Sequence, residues 1–114
     1  MNFQEYQTRA FETADYPECK TGGLVYPALE LNGESGEIAD FVKKIWRNRG
    51  VSSGEDLTPE EYKKLSLEMG DAMWALAALA TAMKTSLETI AEMNLAKLAD
   101  RKARGVIKSE GDNR

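Results

Sequence analysis

The sequence predicts an all-α fold: a helical bundle of about four helices, completed by dimerisation. Three observations carry that prediction. Apolar residues recur at three- and four-residue steps in four stretches, and no stretch alternates as a strand would. Helix punctuation also falls between the stretches, at Pro17 with Gly22-Gly23, at the polar run from Gly50 to Leu57, at Thr58-Pro59 and at Gly105.

The first helix is expected from Phe3 to Ala14, where Phe3, Tyr6, Ala10 and Phe11 fall near helical spacing, and Asp15 to Gly23 reads as a loop. The second begins near Pro27, a residue suited to a first turn, and runs to Arg47 or Asn48. At ~100° per residue, Leu31, Ile38, Val42 and Ile45 form one stripe, with Glu34 and Glu37 on its rim. The third opens at Thr58-Pro59-Glu60-Glu61, which combines an N-cap, a proline and a capping-box glutamate. Its main apolar face is Tyr62, Leu65, Met69, Ala72, Leu76, Leu79, Ala80 and Met83, edged by Glu68 and Asp71. Leu67 and Trp74 project elsewhere and are expected to be buried by another subunit. The fourth helix runs from Ser86 to Arg104, with Ser86 or Thr85 as cap and Gly105 as stop. Ile90, Met93, Leu95 and Leu98 are its apolar contacts, while Asn94, Lys97 and Arg101 line up along it. The chain therefore reads as one domain over residues 1–105 and a flexible tail over 106–114, frayed from Ser109 onward.

Composition narrows the function. The hydrophobic fraction of 42% argues against disorder, and the net charge of −4, with the signs mixed, argues against a nucleic-acid partner. The single Cys19 and the lack of a signal-like N-terminus give a cytoplasmic expectation. Met73 to Met83 is too short for a bilayer, so no membrane association is expected. There is no histidine. That removes Ser/His and Cys/His nucleophiles and imidazole-ligated zinc or iron, and leaves oxygen ligands suited to Mg²⁺, with Mn²⁺ as a substitute.

Those ligands are at hand in Glu34-x-x-Glu37 and Glu68-x-x-Asp71. Three-residue spacing places each pair on one helix face. Either pair alone fits an ordinary solvated face. Both, however, border apolar stripes mid-helix, where the helix dipole does not account for clustered acids. If the two helices pack antiparallel, the pairs can form a four-carboxylate cage for one to three Mg²⁺ ions and phosphate oxygens. Lys43, Lys44, Arg47 and Arg49 follow the first pair, and Lys97 and Arg101 lie on the fourth helix to balance phosphate charge.

Glu34-Ser-Gly-Glu37-Ile38-Ala39 with Glu68-Met-Gly-Asp71-Ala72-Met73-Trp74 resembles the Glu-x-x-Glu … Glu-x-x-Asp signature of MazG-like all-α nucleoside triphosphate pyrophosphohydrolases. Asn94-Leu-Ala-Lys97-Leu-Ala-Asp-Arg101 is similar to the element on that family's last helix, and the likeness spans about Pro27 to Arg104. The resemblance implies a homodimer or homotetramer that uses Mg²⁺ to cleave an NTP or dNTP between its α and β phosphates. It implies Glu34, Glu37, Glu68 and Asp71 as metal ligands, and Lys97, Arg101 and Asn94 as substrate contacts. Lys44 lies in the region after Glu37 where the family also contacts substrate. Water activated beside the metal would pass its proton to Glu34 or Glu37, the catalytic carboxylates between which the sequence does not choose. Trp46, Trp74, Tyr26, Phe3 and Asn32 are the groups available to a base. Gly33, Gly36 and Gly70 lie inside helices, where they give room either to a neighbouring helix or to a substrate. The alternatives are a catalytically silent dimerisation or regulatory module of the same fold, or a hydrolase of another nucleotide such as a phosphoribosyl-ATP.

Overall fold

The computed structural model describes residues 1–108, so the expected tail from Ser109 lies outside the described residues. Four α-helices follow in order, with no strand among the described residues: α1 (Phe3–Phe11), α2 (Val25–Arg49), α3 (Pro59–Ala82) and α4 (Leu87–Ala103). A short 3₁₀ turn, Gly54–Asp56, interrupts the loop between α2 and α3.

Local chemistry explains most boundaries. Asn2 caps α1 by accepting from the Glu5 amide at 2.8 Å, but the helix stops at Phe11, three residues before the predicted end. Val25 starts α2, so Pro27 occupies the first turn, where its missing amide proton leaves no bond unmade, and its ring is fully buried. Gly50 ends α2 in the left-handed conformation. The capping box predicted for α3 is present: Thr58 Oγ1 accepts from the Glu61 amide and Glu61 Oε1 accepts from the Thr58 amide. The Ser86 cap of α4 and the left-handed Gly105 beyond its end also match expectation.

The α2–α3 hairpin is the frame of the molecule and holds its largest interhelical interface. Arg49 closes it with two donors to the Glu61 carboxylate, at 3.0 and 3.1 Å, and a third to the Asp56 carbonyl. Its core is small-residue packing: Ala75, Ala77, Ala78 and Ala80 are buried, with Ile45 and Tyr16. The apolar face predicted for α3 is thus only partly internal. Tyr62, Met69, Leu76 and Met83 are exposed, while alanines outside the predicted stripe are buried. Small side chains let helices approach closely, and several neighbours then cover more of the α3 surface than one apolar face.

Helix α1 packs on α3, and α4 packs mainly on α1. Gln7 on α1 joins the three: its amide donates to Thr81 Oγ1 and the Thr85 carbonyl, and its Oε1 accepts from the Leu87 amide. The expectation for Trp74 is corrected. Its indole donates to the Ala10 carbonyl and Thr13 Oγ1 of its own chain and its ring meets Tyr16 edge-on, so the end of α1, not a second subunit, takes it up. Leu67 remains exposed.

The chain is expanded for its size. Its radius of gyration is 16.9 Å, where a compact chain of this length has about 13 Å. Its accessible surface is 8537 Å² against about 6200 Å² for a compact monomer of 12.7 kDa.

The Gln7 network has a direct test. Gln7→Leu keeps the volume but leaves the Thr85 carbonyl and the Leu87 amide without their side-chain partner. A loss of about 2–3 kcal/mol is expected, read as a lowered thermal midpoint by circular dichroism.

Candidate metal and nucleotide site

The four acids of the two motifs come from facing stretches of α2 and α3. Glu34 feels the charge of Asp71 and Glu37 contacts Glu68, so the pairs run antiparallel, as the spacing argument requires. Glu34, Glu37 and Glu68 each bring a carboxylate oxygen to within 4.8 Å of the other two, close enough to share one cation. Asp71 completes the constellation electrostatically and faces Tyr6 of α1, whose hydroxyl is pushed up in pKa by burial and by that negative charge.

The cluster is poorly compensated within the chain. One oxygen of Glu34 and one of Glu68 are buried with no hydrogen-bond partner among the described residues. The Glu34 carboxyl is raised to about 7, first by desolvation, then by the close carboxyl of Glu30 and the charges of Glu37 and Asp71. Glu68 is raised first by its contact with the Glu37 carboxyl and then by desolvation. A hard divalent cation fits these groups. It would give the orphaned oxygens a ligand role and convert mutual repulsion into shared attraction.

Glu30 was not among the predicted ligands. It lies one turn before Glu34 on the same face of α2, and that four-residue spacing was the signal available for it.

Two cavities flank the acids. One, of about 320 Å³, is bounded by Tyr26, Leu29, Glu30, Gly33, Glu34 and Glu37; Tyr26 stacks on the buried Tyr16 at 4.8 Å between ring centroids. The other, of about 340 Å³, is bounded by Gly33, Gly36, Glu37, Asp40, Phe41, Lys44, Lys64 and Glu68. Glu37 and Gly33 border both. A methyl group added at Gly33, Gly36 or Gly70 would meet open space, so these glycines are not contact points for another helix of this chain.

A MazG nucleotide pyrophosphohydrolase domain model matches residues 27–106, which contain both acidic pairs and the α4 element. The chain belongs to this family. It is also similar to the "Gene 37 protein" of Mycobacterium phage L5, with 44% identity over 119 aligned positions covering all of both chains, under a name that states no activity. No solved structure matches.

Within this MazG domain the predicted phosphate contacts are not yet gathered. Asn94 and Lys97 are exposed on α4, and Arg101 is buried, at 7% exposure, instead of being displayed with them. Among the described residues, no hydrogen bond or ion pair links any of the three to the acids. The cations after Glu37 are largely engaged. Lys43 and Lys44 reach Asp40 at 2.9 and 2.7 Å and hold its carboxyl down at about 2, while Arg49 serves Glu61. No helix is long and apolar enough to cross a membrane among the described residues.

The raised Glu34 value sets a pH dependence. A carboxyl titrating near 4.5 when unfolded and about 7 when folded stabilises the fold fully below the lower value and loses that contribution as pH rises through the higher. In EDTA the thermal midpoint is therefore expected to fall between about pH 5 and about pH 8, and millimolar Mg²⁺ to restore it most at the alkaline end. A flat profile in EDTA, with no Mg²⁺ response, would count against the cluster as a metal site.

Proposed function

We propose that this protein is a Mg²⁺-dependent nucleoside triphosphate pyrophosphohydrolase that cleaves an NTP or dNTP between the α and β phosphates. The observation that carries the reading is the cluster of Glu34, Glu37 and Glu68, with orphaned oxygens in a cleft beside two cavities of nucleotide-fragment size. Family membership supports the same reaction class.

In this reading Glu34, Glu37, Glu68 and Asp71 hold the cation, with Mn²⁺ able to substitute. The cation, when bound, supplies positive charge to the phosphates and acidifies a nearby water. Glu37, the exposed acid bordering both cavities, is positioned to accept a proton from that water. The water oxygen bonds to phosphorus at the α–β bridge, the bridging P–O bond breaks, and its electron pair leaves with the departing phosphate group. The products are a nucleoside monophosphate and pyrophosphate. Asn94 and Lys97 of α4, with Lys44, belong to this reading as substrate contacts, while the buried Arg101 does not reach substrate in this arrangement. The cytoplasmic setting expected from the sequence belongs to it too, since its substrates and Mg²⁺ are abundant there.

A homo-oligomer is part of the proposal. About 2300 Å² of surface beyond that of a compact monomer stays accessible, on the scale of an obligate interface. Met93, Leu95 and Leu98 on α4 and Met69 and Leu76 on α3 are exposed apolar residues that a second copy would cover. Light scattering is expected to return at least twice the 12.7 kDa chain mass.

The reaction is tested by incubating the protein with each of the eight common NTPs and dNTPs and Mg²⁺, scoring monophosphate and pyrophosphate. Turnover of at least one is expected. Glu37→Gln or Asp71→Asn should lower it by about 100-fold or more while the helical circular dichroism is unchanged. Because a like charge is removed, Glu37→Gln should also raise the thermal midpoint in EDTA and blunt its response to Mg²⁺. Full activity in either variant sinks the assignment.

A further inference from the structure

The cavity on the C-terminal side of the acids differs from its neighbour in carrying lysines, and only one of them is uncommitted. Lys44 is held by Asp40 at 2.7 Å. Lys64 has no carboxylate within ion-pair distance among the described residues. Its ammonium instead sits over the Phe41 ring, 4.8 Å from the centroid, so a cation–π contact orients it without neutralising its charge. It stands one turn before Glu68 on α3, where its charge favours the ionised form of that acid. An oriented, unneutralised cation beside clustered carboxylates suits an anion carried together with a metal ion.

The opposite cavity holds Tyr26 and Leu29 and the acids Glu30 and Glu34, with no lysine or arginine on its wall among the described residues. It offers an aromatic surface and an apolar side chain, which suit a nucleoside and not a polyphosphate. The two cavities thus give the acidic cluster a polarity along α2.

We propose, resting on the reaction proposed above, that Lys64 binds the pyrophosphate portion of the substrate, so the β and γ phosphates occupy the cavity bordered by Phe41, Lys44 and Lys64 and the nucleoside lies toward Tyr26. Lys64 is then a substrate contact that the acidic motifs do not include.

Lys64→Met removes the charge while keeping an unbranched stem over Phe41, and Lys64→Arg restores a cation able to stack on that ring. In Lys64→Met, KM for the preferred nucleotide is expected to rise about tenfold and inhibition by Mg²⁺-pyrophosphate to weaken about tenfold, an effect of the size of one partly exposed charge contact. Inhibition by the monophosphate product should be unchanged, and Lys64→Arg should recover most of both losses. A binding arm runs independently of turnover. Mg²⁺-pyrophosphate should raise the thermal midpoint of the wild-type protein more than that of Lys64→Met.

Unchanged pyrophosphate inhibition and an unchanged thermal shift in Lys64→Met overturn the proposal. A wild-type protein that cleaves no nucleotide refutes the proposed reaction; Lys64 is then judged by the pyrophosphate shift alone, and its absence in the wild type overturns the assignment.

Discussion

Mutual repulsion among carboxylates in the α2–α3 cleft is the constraint around which the molecule is organised. Glu30, Glu34, Glu37, Glu68 and Asp71 act on one another across that cleft, and two of their oxygens are buried without a hydrogen-bond partner among the described residues. Such a cluster destabilises the isolated fold unless protons or a cation neutralise it. Lys43, Lys44 and Arg49 do not relieve it, because Asp40 takes the first two and Glu61 takes Arg49; Lys64 offsets it in part, at Glu68. The cleft is thus left negative.

The frame around the cleft resists this repulsion from both ends. The Arg49–Glu61 clamp and the capping box, which share the Glu61 carboxylate, fix the loop end of the hairpin. Toward the other end, Trp74 ties α3 to the end of α1, and Gln7 ties α1 to the turn before α4. Between them the alanine surface of α3 gives close approach without large side chains. The frame is well connected, yet the outer faces of α3 and α4 remain apolar and accessible.

What was legible was local. The capping box at Thr58, the Ser86 cap, the left-handed Gly105 and the two acidic pairs each follow from a few adjacent residues, and the structure reproduces the caps and faces the pairs across one cleft. What was missed needed a third helix or a second face. Trp74 reads from sequence as a surface for another subunit, because nothing local announces that the Ala10 carbonyl, near the end of α1, lies within its reach. Arg101 reads as one of a displayed row because helical spacing gives a residue's side of the helix and not what covers it. Lys64 looks like any lysine on a solvated face until Phe41 is seen beneath it.

The sequence by itself therefore determined the four helices, the family and the two acidic pairs. Periodicity, capping and the identity of the ionisable groups are properties of short stretches of chain. Only the tertiary structure decided which acids meet, that Glu30 joins them, and which lysine stacks on Phe41 beside them. Desolvation and charge–charge energies depend on distances between residues far apart in sequence, and the packing of α1, α2 and α3 sets those distances.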